Sequence, residues 1–89
     1  MPTIAIFYGI IVQMYYNDHN PAHFHARYGN AKAVVRIPDG QTLAEALPPT
    51  AARLVGEWAV ARRLELEANW QRGRTEAPFQ KVASPDGQG

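Results

Sequence analysis

His23-Phe24-His25-Ala26-Arg27-Tyr28-Gly29-Asn30-Ala31-Lys32-Ala33-Val34-Val35-Arg36-Ile37 reads as two strands joined by a two-residue turn. Side chains on a strand alternate between faces, so Phe24, Ala26 and Tyr28 share one face and His23, His25 and Arg27 the other. Gly29 supplies the positive φ that a mirror-type turn needs at its first position. With that turn, opposed residues sum to 59. Phe24 then meets Val35, Ala26 meets Ala33 and Tyr28 meets Ala31, which is an apolar face throughout. On the other face His23 meets Arg36, His25 meets Val34 and Arg27 meets Lys32. A slip of one residue would turn charges into the core, so the pattern selects this register.

The same face collects the histidines. All three in the chain lie in Asp18-His19-Asn20-Pro21-Ala22-His23-Phe24-His25. Histidine titrates near neutral pH and is the commonest metal ligand, so this cluster suits a metal site, an acid–base site or an anion site. Pro21 fixes its own φ and pushes Asn20 toward extended geometry, so the chain is expected to turn there and bring His19 back over the other two.

Upstream, Ile4–Tyr8 and Ile10–Tyr16 are rich in β-branched and aromatic residues and read as strands on either side of Gly9, which marks a bend or bulge. Ile10, Val12, Met14 and Tyr16 form a core face; Ile11, Gln13 and Tyr15 form a more polar one. Downstream, Pro38-Asp39-Gly40 is a turn and Gln41-Thr42-Leu43 a short returning edge strand. Pro48-Pro49-Thr50 opens a helix, and residues 51–74 contain no proline. At about 100° per residue, Ala51, Leu54, Val55 and Trp58 share one stripe, whereas Leu66 and Trp70 have drifted around it. Either the helix kinks near Arg62-Arg63, or its second half packs on a second copy or on another chain. The fold expected is α+β: a small antiparallel meander of three to five strands packed against a long C-terminal helix, kinked or continuous. Residues 1–83 form one domain. The Pro-, Gly- and Ser-containing residues 84–89 are expected to be a disordered tail.

Eighty-nine residues make a single modest core, which a dimer or a partner chain would help to stabilise. The absence of cysteine removes disulfides and thiolate metal sites and fits a cytoplasmic location. The longest apolar run, Ile4 to Val12, is too short to span a membrane, and no basic segment precedes it as in a signal peptide. A net charge of +1 gives no bulk attraction for nucleic acid, so any such attraction must be local.

The run Asn17–Ala26, the start Met1-Pro2-Thr3 with Phe7-Tyr8-Gly9, and Leu47-Pro48-Pro49 followed by Glu57-Trp58 and Asn69-Trp70 together resemble the small bacterial family known as domain of unknown function 4160. The likeness covers nearly the whole chain to about residue 80. Ala22 departs from it, since the family usually has a second proline there. The resemblance implies a toxin-like component of a toxin–antitoxin-type gene pair, held with a small cognate protein. It identifies neither substrate nor catalytic residue.

Three functions are therefore expected to compete. In a metal-independent ribonuclease, His23 and His25 act as base and acid, Arg27, Lys32 and Arg36 clamp phosphate, and Tyr15 or Gln13 positions the RNA, while Asp18 orients His19. In a zinc module, His19, His23 and His25 are ligands, with Asp18 as a fourth; Arg27 and Arg36 nearby count against it. In an interaction module without chemistry, the sheet edge or the out-of-phase half of the helix binds a protein partner or a second copy.

Overall fold

In the computed structural model, which describes residues 2–85, five strands are followed by two helices: β1 (Thr3–Phe7), β2 (Ile10–Gln13), β3 (His23–Tyr28), β4 (Ala31–Arg36), β5 (Thr42–Glu45), α1 (Pro49–Ala61) and α2 (Arg63–Arg74). The strands form one antiparallel meander in sequence order. The β3–β4 hairpin has the register that the alternation requires, from His23 opposite Arg36 to Tyr28 opposite Ala31. Gly29 sits at φ 59° in its turn. The pairing runs one step further, because the Ile37 amide donates to the Ala22 carbonyl.

Ile10, Val12, Met14, Phe24, Ala26, Ala33, Val35 and Ile37 are buried on one face of this sheet. Trp58 of α1 closes over them, with its ring 5.7 Å from Phe24 and 4.9 Å from Phe7. Its indole N–H donates to the Ala83 carbonyl, so the polar atom of a buried Trp is satisfied. Tyr28, placed by its alternation among the core residues, is instead 42% exposed. It lies at the open end of the hairpin, and its ring covers Gly9 in the β1–β2 turn.

The C-terminal helix is two helices, not one long rod. Arg62 leaves the helical region at φ −107° and ψ 22°, which redirects the chain between α1 and α2. The change of direction resolves the phase problem in the sequence: Leu66 and Trp70 reach the same core as Trp58 and are 0% and 5% exposed. No second copy or partner chain is needed to cover them. Arg62 also holds the following segment, donating to the Ser84 carbonyl and pairing with Glu65.

After α2 the chain returns along β1, where the Val82 amide donates to the Ile4 carbonyl. Buried Asn69 clips this segment in place, with its side-chain amide bonded both ways to the Gln80 backbone. Ser84, assigned to a disordered tail from composition, is buried; residues 86–89 of that tail lie outside the described residues. Among the described residues no helix is long and apolar enough to cross a membrane.

Candidate functional site

The turn between β2 and β3 is tied to the end of α2. Asn17 adopts φ 54°, its amide donates to the Gly73 carbonyl, and its side chain donates to Glu76. Gly73 makes the approach possible: a Cβ there would stand 3.0 Å from the Phe79 ring and 3.3 Å from the Tyr15 carbonyl. The turn continues through a cis Asn20-Pro21 bond into β3.

Asp18, projecting from this turn, is the hub. One carboxylate oxygen accepts from the His19 amide at 2.9 Å. The other lies 2.8 Å from His23 Nε2 and 3.7 Å from His25 Nε2. His23 Nδ1 lies 2.7 Å from the Pro21 carbonyl. A carbonyl oxygen only accepts, so Nδ1 carries the proton there, and the ring is held at both nitrogens. Trp70 packs over it at 5.2 Å, leaving His23 4% exposed.

His25 differs from its neighbour. Its ring is 5.3 Å from His23 and meets Tyr15 edge-on at 4.4 Å. Its Nε2 is buried without a hydrogen-bond partner. Burial, and then the charge of His23, hold the His25 ring below its ordinary pKa against the opposing pull of Asp18, so it is neutral near pH 7. Burial also pushes the Asp18 carboxyl up. The His19 amide, then the charge and hydrogen bond of His23, then His19, outweigh it and leave Asp18 below the usual carboxylate value. Arg74 and Asn17 border Asp18 on its outer side.

Beyond His25 the polar face of the sheet opens as a groove of about 580 Å³, whose walls include Gln13, Tyr15, Arg27, Lys32 and Glu45. Arg27 and Lys32 are directly opposed in the hairpin, and no ion pair to either is present among the described residues.

The structure thus brings together Asp18, His23 and His25, and, next to them, Tyr15, Arg27 and Lys32. It does not bring in the other two candidates. Arg36 stands opposite His23 as the register requires, but its guanidinium is taken by Asp39 and Gln41, so it is not a free phosphate clamp. That capture was readable from the i, i+3 spacing of Arg36 and Asp39 across a Pro-Asp-Gly turn. His19 turns back to 5.7 Å from the His23 ring, with its Nε2 3.8 Å from Asp18 Oδ1, yet its side chain is 87% exposed and lies at the rim of the cluster. His23 in turn is 4% exposed and does not line the groove. Its covering residue Trp70 and its carbonyl partner at Pro21 carried no local signal in the sequence, since one comes from a distant helix and the other from the backbone.

Fold and site together define a small α+β domain with an Asp–His–His cluster at one end of a cationic groove. The chain belongs to the family described as Domain of unknown function (DUF4160), which it matches over residues 9–71. Every residue of the cluster and the groove named above, apart from Arg74, falls within that span. No curated protein matches the chain. No solved structure matches it.

Proposed function

We propose that this chain is an RNA-directed, toxin-like protein that holds phosphodiester in the groove between Arg27 and Lys32 and cleaves it with His25. The observation that carries this reading is the pair of cations set directly opposite each other without a carboxylate partner, in the groove that His25 also lines. Like charges directly opposed on a sheet destabilise it. An anion bound between them reverses the sign of that interaction, and phosphate is the anion whose chemistry an adjacent imidazole can serve.

With the 2′-oxygen of RNA near His25, the imidazole takes its proton as the oxygen attacks phosphorus. The P–O5′ bond breaks, leaving a 2′,3′-cyclic phosphate, and solvent protonates the departing oxygen. Arg27 and Lys32 stabilise the charge that builds on the phosphoryl oxygens. Tyr15, edge-on to His25, positions the ring, and the Asp18–His23 pair holds the turn beneath it. Only one histidine faces the ligand, so this mechanism differs from a two-histidine acid–base pair. The family resemblance to a toxin–antitoxin-type pair supports an RNA target, and a cognate small protein would act by covering this groove.

The test is cleavage of single-stranded RNA by purified protein, with and without chelator, for the parent and His25→Ala. The parent is expected to cleave and the variant to bind without cleaving. Absence of RNA binding at low salt, or cleavage that His25→Ala leaves unchanged, refutes the proposal.

A further inference from the structure

We infer that Asp18, His23 and His25 form a binding site for a divalent transition-metal ion of the zinc type. One donor atom from each residue lies within 4.8 Å of the other two. Zinc bonds to imidazole and carboxylate run about 2.0–2.2 Å, which in tetrahedral geometry separates ligand atoms by roughly 3.3 Å. The observed separations from Asp18, 2.8 Å to His23 Nε2 and 3.7 Å to His25 Nε2, bracket that value, and the third pair, His23 and His25, lies within 4.8 Å, so metal binding would draw the two rings closer together.

Two further features point to a ligand. The His25 Nε2 atom is buried and unpartnered, directed at the Asp18 carboxylate, where a metal would satisfy it. His23 has its other nitrogen on the Pro21 carbonyl, and Asp18 has its other oxygen on the His19 amide. Metal ligands ordinarily have such outer partners, which fix ring tautomer and carboxylate orientation. Trp70 closes one side of the cluster. His25 also lines the groove, with its Nε2 turned away from it toward Asp18. Arg36, the cation nearest in register, is neutralised by Asp39, which leaves Arg74 and Arg27 as the charges opposing the ion. The ligand set is Asp18, His23 and His25; His19 plays no part.

A metal ion on His25 Nε2 would keep that ring from taking a proton, so the cleavage proposed above would belong to the metal-free chain, and the site is tested with metal alone. Protein made without an affinity tag is stripped with chelator, dialysed against zinc, and analysed for bound metal. Cobalt(II) then serves as a spectroscopic probe of the ligand geometry. The wild type is expected to retain one equivalent and to give the intense visible bands of a low-coordinate cobalt site. Asp18→Asn and His25→Ala should weaken zinc binding by roughly 100-fold or more, since even outer-partner mutations cost 10- to 100-fold. His19→Ala should change nothing. Circular dichroism checks each fold, and His25→Gln replaces any His25→Ala protein that fails to fold. A folded wild type that retains no zinc overturns the site. So does retention undiminished by Asp18→Asn or the His25 variant, or a loss on His19→Ala, which would place the metal on surface histidine. RNA binding measured in chelator reports on Arg27 and Lys32 separately, so either conclusion can fail without the other.

Discussion

Replacing Lys32 with Gln should move stability and RNA binding in opposite directions. Lys32 and Arg27 are directly opposed in the β3–β4 hairpin and both are exposed. Opposed like charges on a sheet cost on the order of 0.2–1 kcal/mol, and Gln removes the charge while keeping a flexible polar side chain one atom shorter. Unfolding in denaturant at low salt should therefore show a variant more stable by about that amount. For a domain of this size, 1 kcal/mol corresponds to a rise of about 4–8 °C in Tm. Added salt should shrink the difference, because exposed charges are screened over about 10 Å at 0.1 M ionic strength. Binding to single-stranded RNA should weaken instead. Each phosphate contact contributes about 0.7 to the slope of log affinity against log salt for single strands. Two contacts give a slope near −1.4 and the variant one near −0.7. Between about 50 and 200 mM salt the advantage of the parent should thus fall by roughly 2.6-fold. Fluorescence anisotropy with a labelled oligonucleotide across that range measures it. If Lys32→Gln lowers stability and binding together, or leaves the salt slope unchanged, the two cations are a solvated face and the phosphate reading is wrong.

Two other outcomes follow from contacts remote from the groove. The Asp39 carboxyl, bonded first by Arg36 and then by the Gln41 amide, is held down to about 2. Because its folded value is depressed, its contribution is present above the ordinary value of 3.8 and is lost as pH falls from there toward 2. Asp39→Asn should flatten the acid limb of the stability–pH curve in that window, as followed by denaturant unfolding, and a curve that keeps the parent's steepness would remove the Arg36–Asp39 pair as its cause. Trp70, 5% exposed and packed on His23, should cost about 3–5 kcal/mol when replaced by Ala. Trp70→Phe should lose much less, and calorimetry of the two variants distinguishes cover of the histidine from a general demand for volume.

How much of this was legible in the sequence depends on how local each cause is. The β3–β4 hairpin was readable residue by residue, because strict alternation and a Gly-Asn turn act within the same short stretch. The division of the C-terminal helix was half readable. The drift of Leu66 and Trp70 away from the Trp58 stripe said that one straight helix could not bury them all, but not whether the chain would bend or recruit a partner. The change at Arg62 answers that within one chain. Tyr28 misled because alternation gives the direction of a side chain and says nothing of what lies beneath it at the end of a strand.

The same distinction separates the two histidines of β3. His23 and His25 point to one face, as a period of two demands, and from sequence they look equivalent. Their difference comes from what meets that face at each position. At the first residue of the strand, the turn carrying Asp18 and Pro21 engages both His23 nitrogens and Trp70 arrives from α2. Two residues on, Tyr15, His23 and Asp18 flank the ring on one side, and the groove begins on the other. A strand pattern therefore placed both rings correctly and could not assign their roles. His23 is the ring bonded at both nitrogens and covered by Trp70, and His25 is the one that also lines the groove.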